Sequence, residues 1–118
     1  MAALLGDGKI LAQTNPAAAT LTDSYTVPAS TKTEVQDIVA CNRSAVATSI
    51  RIAVAVAGAV DDNKQYLLYD YVIAGNGVVS LADLRGGQSL LLAATDKVRV
   101  YATLATISFN VLGREVGA

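Results

Sequence analysis

The stretch that decides the fold spans residues 33–60 and reads TEVQDIVACNRSAVATSIRIAVAVAGAV. In its second half, aliphatic side chains fall on one side of an extended chain, and small or polar side chains fall on the other. The aliphatic set is Ile50, Ile52, Val54 and Val56, and the opposite set is Ser49, Arg51, Ala53 and Ala55. This two-residue period is typical of a half-buried β-strand.

The first half of the stretch contains a continuous apolar run, Ile38-Val39-Ala40-Cys41. Such a run, partly β-branched, is typical of a strand that is covered on both faces. We therefore predict two strands, at residues 32–42 and 47–57. We expect them to fold back on each other at Asn42-Arg43-Ser44 and to form the core of a β-sandwich.

Turn signals divide the rest of the chain into short strands, expected at residues 9–13, 22–27, 65–73, 78–81, 89–93, 97–104 and 106–116. Pro28 ends the second of these and favours a sheet edge. Gly75-Asn76-Gly77 predicts a turn, because Asn and Gly tolerate positive φ. With no convincing amphipathic helix, the pattern predicts an all-β antiparallel sandwich, jelly-roll or immunoglobulin-like, of about eight short strands.

Length and composition set further bounds. The chain has 118 residues, enough for one core, so we predict a single domain, residues 1–118, with short flexible ends at about 1–8 and 113–118. Its nine Lys and Arg residues are dispersed and its net charge is −1, which argues against nucleic-acid binding. The longest apolar run, residues 52–60, is too short to span a bilayer as a helix, so no membrane partner is expected.

Residue types that commonly catalyse reactions or bind metals are scarce. The chain has no His, which removes the commonest general base and metal ligand. Asp61-Asp62-Asn63 lacks the spacing of a calcium loop and is interpreted as a solvated turn. Asp70 has no recognisable partner and is interpreted as an exposed or hydrogen-bonded strand carboxylate. We therefore predict no enzymatic activity, no catalytic residues, no cofactor and no metal site.

Two residues at the predicted corner suggest chemistry that we do not favour. Cys41 is the single cysteine, so no internal disulfide is possible, and its apolar surroundings indicate a small buried hydrophobe rather than a reactive thiol. Asn42-Arg43-Ser44 matches the glycosylation acceptor pattern. The start of the chain is too short for a signal-peptide core, so we interpret the motif as a turn in which Asn42 caps its own backbone.

Four tyrosines are the candidate contact residues: Tyr66, Tyr69 and Tyr71 in one predicted strand, and Tyr101 in another. Strict alternation predicts that Tyr69 and Tyr71 share one face of their strand, opposite Tyr66 and Asp70. Tyrosine is apolar with a polar tip, which suits both protein interfaces and the stacking of sugar rings. We favour a protein interface or a core role over glycan contact.

Five segments in one order cover most of the chain. They are KILAQ at 9–13, TLTDSYTVPA at 20–29, IVACNRSAVATSIRIAVAVAGA at 38–59, NKQYLLYDYVIAGN at 63–76 and LLAATDKVRVYATLATISFNVLGREV at 91–116. In combination they resemble a family of small virion structural proteins of tailed bacteriophages, cyanophages among them. The resemblance brings no site residues with it.

The resemblance implies a non-enzymatic particle component, and we expect a capsid decoration (cement) protein that clamps neighbouring capsomers. A tail or baseplate-fibre component and a glycan-binding host-attachment module are the alternatives. The expected partners are major capsid or tail/baseplate proteins, and the expected location is the virion, assembled in the host cytoplasm. We also expect a homo-oligomer. A trimer is the favoured state, because the threefold axes of particles and the axes of fibres match a trimer.

Overall fold

Nine β-strands and one single-turn α-helix make up the computed structural model, which describes residues 8–117. The strands are β1 (Lys9–Thr14), β2 (Thr22–Thr26), β3 (Thr31–Asn42), β4 (Thr48–Ala55), β5 (Tyr66–Ile73), β6 (Val78–Ser80), β7 (Leu90–Leu92), β8 (Lys97–Ala102) and β9 (Ile107–Gly117). Helix α1 is Leu81–Leu84, and 3-10 turns occupy Val56–Gly58 and Asn63–Gln65. Between residues 8 and 117, no helix is long and apolar enough to cross a membrane. The flexible end predicted at residues 1–8 lies, but for Gly8, outside the described residues.

The strands form two antiparallel sheets that pack face to face. One sheet has five strands in the order β1-β9-β3-β6, with β7 also paired to β3; the other has four, in the order β2-β8-β4-β5. An immunoglobulin-like sandwich keeps its first two strands in the same sheet, whereas here β1 and β2 lie in opposite sheets. The predicted all-β sandwich is confirmed, and its strand order is that of a jelly roll.

The core lies between the two sheets and follows the two-residue period of the strands. Its fully buried members include Ile38, Ala40, Ile50, Ile52, Val98, Val100, Ala102, Ile107, Phe109 and Val111. In the strands expected at residues 97–104 and 106–116, alternation predicts one inward set each, Val98, Val100, Ala102 and Leu104 in the first and Ile107, Phe109 and Val111 in the second. All of these but Leu104 are buried. Leu104, which was placed with them, lies beyond the end of β8 and is partly exposed.

The two strands of the deciding stretch form as predicted, but they do not pair with each other. β3 pairs with β9 in the five-stranded sheet, and β4 pairs with β8 and β5 in the four-stranded sheet. The predicted hairpin is therefore wrong, because residues 43–47 carry the chain from one sheet to the other. Both strands are central in their sheets, which agrees with the predicted core role.

The alternation predicted for β4 holds in direction as far as Ala55, the last residue of the strand, but burial does not follow it. Val56 was placed with the inward set but is exposed, whereas Ala53 and Ala55 were placed outward but are fully buried. Pairing with β8 remains in register, with Ala53 opposite Arg99, so the alanines do face outward. Arg99 donates to the carbonyl oxygen of Ala59 at 2.8 Å. We attribute the burial to the loop that this bond holds against the sheet.

The crossing between the sheets depends on the side chain of Asn42, which is only 1% exposed. Its Oδ1 accepts from the backbone N–H of Ser44 and from the hydroxyl of Thr106, both at 3.1 Å. Its Nδ2 donates to the carbonyl oxygens of Val46 at 2.9 Å and Ala74 at 3.2 Å. The predicted capping role is confirmed. A buried amide with these four bonds is also closed to glycosylation in the folded chain.

We expect Asn42→Ala to lower the free energy of unfolding by about 3 kcal/mol, because it removes all four hydrogen bonds of a buried side chain. Urea denaturation measures the change. Asn63→Ala, at an exposed position, is the control and should change stability by less than about 0.5 kcal/mol. Equal effects of the two substitutions would contradict the role assigned to Asn42.

The last strand continues where the sequence predicted a loose end. β9 extends to Gly117, and its residues from Gly113 onward pair with β3 between Thr31 and Val35. The predicted flexible end is therefore wrong for residues 113–117. Gly113 allows close approach of the strands, since a Cβ there would lie 2.0 Å from the carbonyl oxygen of Glu34. The strand that pairs with Gly113 is irregular at this point, because the register of β3 against β9 shifts between Val35 and Asp37.

Gly113→Ala should destabilise the fold by about 3 kcal/mol, because the added methyl group pushes two paired strands apart. The matched control is Gly117→Ala, where an added Cβ meets nothing within 4 Å. Thermal unfolding followed by circular dichroism measures both variants. A melting temperature unchanged by Gly113→Ala would show that the strands are not in this register.

Candidate functional site

Three of the four predicted contact tyrosines lie together on the outer face of the four-stranded sheet. Tyr66 and Tyr69 of β5 meet edge to face, with ring centroids 5.0 Å apart and planes at 88°. Tyr101 of β8 lies directly opposite Arg51 of β4. Because β4 lies between β8 and β5, Arg51 is flanked by tyrosines from both neighbouring strands.

Arg51 joins these tyrosines into one cluster. Its guanidinium carbon lies 4.1 Å from the ring centroid of Tyr69 and 4.3 Å from that of Tyr101, which is cation–π distance. Its Nε donates to Oδ1 of Asp70 at 2.6 Å. This hydrogen bond to Asp70 raises the pKa of Arg51, which is therefore positively charged throughout the accessible pH range. We call Arg51, Tyr66, Tyr69, Asp70 and Tyr101 the Tyr–Arg cluster.

Tyr71 lies apart from this cluster. Asp70 has a φ of 53° and the register of β5 against β4 shifts beside it, as expected for a β-bulge. The extra residue places Tyr71 opposite Ile50, which faces the core, while Tyr69 and Asp70 both contact Arg51. The predicted sharing of one face by Tyr69 and Tyr71 is therefore wrong.

Sequence reasoning missed Arg51 as the centre of the site. It placed Arg51 correctly on the outward side of β4, and the interpretation of Asp70 as a hydrogen-bonded strand carboxylate is confirmed. The available signal was an arginine on the polar side of one predicted strand, together with tyrosines on two other predicted strands. Using that signal requires the order of the strands, which the local pattern does not contain.

The loop beside the cluster, Asp61-Asp62-Asn63, forms the predicted solvated turn. Asp62 accepts from the backbone N–H of Lys64 at 3.3 Å, and Asp61 accepts from the hydroxyl of Tyr66 at 2.8 Å. Partial burial and this second bond raise the pKa of Tyr66. Asn63, Tyr66 and Tyr69 line a shallow groove. Among residues 8–117, no three Cys, Asp or Glu side chains are grouped so as to hold a metal ion.

A second cluster of polar side chains lies between the sheets at one end of the sandwich. The Tyr25 hydroxyl donates to the Glu115 carboxylate and is 2.8 Å from the Thr33 hydroxyl. Lys9 pairs with the same carboxylate at 3.1 Å. Burial, with a smaller effect of the Glu115 bond, raises the pKa of Tyr25 to about 12, and the Tyr25 bond lowers the pKa of Glu115. These bonds link β2 of one sheet to β3 and β9 of the other.

Stability at alkaline pH should depend on Tyr25. Its folded pKa is raised from 10.0 to about 12, so its contribution is complete below pH 10 and is lost as the pH rises towards 12. The loss is on the order of 2 kcal/mol. Tyr25→Phe should flatten this part of the pH dependence, measured by urea unfolding between about pH 9 and 11. Tyr71→Phe is the exposed control, and an unchanged slope in Tyr25→Phe would contradict the assignment.

Comparisons with known proteins place no constraint on the function. No protein-family model, no curated protein and no solved structure matches this chain. The resemblance to virion structural proteins therefore stays a prediction. The Tyr–Arg cluster and the outer faces of the two sheets are the features from which a function is inferred.

Proposed function

We propose that this chain is a non-enzymatic structural protein of a tailed-bacteriophage virion, and within that class a capsid decoration (cement) protein. The five-segment resemblance supports the class of protein. The outer face of the five-stranded sheet supports a role in which the chain binds flat against other proteins. The jelly roll agrees with this role but hosts many unrelated functions.

The outer face of the five-stranded sheet carries exposed aliphatic side chains. Leu91 is 82% exposed and Val116 is 51% exposed, on neighbouring outward positions near the β7 edge. Ile10 and Val78 are exposed elsewhere on the same face, and Cys41, predicted to be buried, is half-buried there opposite Val78. Leu91 and Val116 line one groove together, and contiguous exposed apolar surface marks an interaction site.

Five of the polar side chains among these aliphatic groups are bonded to one another, in one group of three and one pair, and this observation carries the proposal. Glu34 accepts from Arg114 and Ser89, each at 2.8 Å, and these two bonds lower its pKa. Gln13 donates to Asn110 at 2.8 Å. Because these groups keep their partners when water is removed, a second protein can cover the face without leaving them unsatisfied.

The proposed mechanism is burial of this face against neighbouring shell proteins. A specific interface buries about 800 Å² on each partner, and each Å² of apolar surface removed from water contributes roughly 25 cal/mol. One decoration protein that contacts two capsomers ties them together, because separating the capsomers exposes that surface again. The proposed partners are major capsid proteins, and the proposed assembly is a homotrimer.

Image reconstruction of the purified phage particle tests the location. Density for this chain on the shell at local threefold positions, with three copies at each, is the expected result. Copies found only at the tail or baseplate would refute the decoration role and support the tail alternative. Absence from the particle would refute both.

Leu91→Lys tests the proposed face. Added to particles that lack the protein, this variant should bind at least tenfold more weakly, because it places an unpaired charge on the face that the interface buries. The matched control is Val60→Lys, since Val60 is 83% exposed in the loop beside the other sheet. Occupancy is read by quantitative gel analysis of sedimented particles. Equal binding of the two variants would exclude the face.

The Tyr–Arg cluster favours a second candidate function, attachment to host glycans. It lies on the outer face of the opposite sheet, so it stays accessible when the five-stranded sheet is covered. Tyr69 is 58% exposed and borders the groove that contains Asn63. An aromatic ring can stack on the apolar face of a sugar, and an amide group can form hydrogen bonds with the hydroxyl groups of a sugar.

A further inference from the structure

The guanidinium of Arg51 is held in position with one edge available. The rings of Tyr69 and Tyr101 flank it, and Asp70 accepts only from its Nε. Among the described residues, none accepts a hydrogen bond from its two terminal nitrogens. Its side chain is nevertheless only 23% exposed, so its orientation is restricted before any ligand arrives.

A fixed guanidinium edge with two free nitrogens matches the two oxygens of a carboxylate, which it binds through parallel hydrogen bonds. Little side-chain entropy is lost on binding, because the rings already restrict the arginine. The arginine of the Arg99–Asp23 pair contrasts with Arg51. Arg99 bonds Asp23 and the carbonyl oxygens of Gly58 and Ala59, so its terminal nitrogens are already used.

The groove beside Arg51 supplies contacts that a free carboxylate would not use. Tyr69 forms one wall of the groove and is also the ring against which Arg51 packs. Tyr66 and Asn63 complete the lining. A sugar ring in this groove has an aromatic surface for its C–H groups and an amide for a hydroxyl group.

We propose that the Tyr–Arg cluster binds an acidic saccharide, with Arg51 holding the carboxylate of a uronic acid and the Asn63–Tyr66–Tyr69 groove holding its ring. A neutral sugar fits less well, because it has no carboxylate to accept the paired hydrogen bonds of the terminal nitrogens of Arg51. The inference rests on the attachment role given above as the second candidate function. It does not depend on the decoration role.

Titration of the full chain with tri-galacturonic acid, followed by ¹H–¹⁵N NMR, tests the site. We expect saturable shifts of the Arg51 Nε–H signal and of the backbone amides of Tyr69 and Tyr101. Arg51→Lys keeps the charge but loses the paired donors, and should weaken binding at least tenfold. The matched control is Arg114→Lys, since Arg114 pairs with Glu34 at 2.8 Å as Arg51 pairs with Asp70 at 2.6 Å. The dispersion of the backbone amide signals verifies that each variant is folded.

Two further titrations separate the possible results. Acetate should shift the Arg51 signal only at concentrations at least tenfold higher, which identifies the sugar ring as part of the ligand. If neutral galactotriose binds as tightly as the acidic trisaccharide, the acidic class is wrong but the attachment role survives. If neither saccharide gives a saturable shift, the acidic class of ligand and the attachment role are both wrong. Equal binding by the Arg51→Lys variant would show that charge alone is recognised, and would overturn the proposed geometry.

Discussion

The jelly roll depends on one buried amide. At the point where β3 ends, the chain must leave one sheet and enter the other, and a crossing through the end of a sandwich leaves backbone groups without strand partners. Asn42 supplies both acceptor and donor groups there, and it bonds its own turn, the end of β5 and the turn before β9. Three connections that lie far apart in sequence are thereby held at one corner, which fixes how the sheets face each other.

The chemistry of the outer surface depends on a different local feature, the bulge at Asp70. Without the extra residue, Tyr69 and Asp70 would point to opposite sides of β5. With it, both reach Arg51 on the neighbouring strand. A backbone irregularity of one residue therefore converts separate side chains into a charged, aromatic surface. That surface lies on the opposite sheet from the aliphatic face, so the two proposed contacts do not compete for space.

Sequence patterns predicted the strands well and their pairing poorly. The inward positions of Val98, Val100 and Phe109 follow from alternation, because the period of a strand is local. The crossing after Asn42 was interpreted as a hairpin, since a short polar turn between two apolar strands looks the same whether the strands join one sheet or two. Arg51 was missed for the same reason, because its partners come from strands that only the sheet order brings together. The stretch from Gly113 was interpreted as a flexible end, because the close approach of Gly113 to a carbonyl group in another strand is not visible in the local pattern.

The irregular register of β5 also affects how copies of the chain meet. β5 is an edge strand of its sheet, and a straight edge strand offers a row of unpaired backbone groups to which another chain can add. The shifts beside Asp70 interrupt that row, so a second copy cannot extend the sheet along this side in continuous register. Along this side, association is thereby directed to the face of the sheet, where side chains decide which partners fit. Growth by face contacts ends when the matching surfaces are used, whereas strand addition would continue into a fibre.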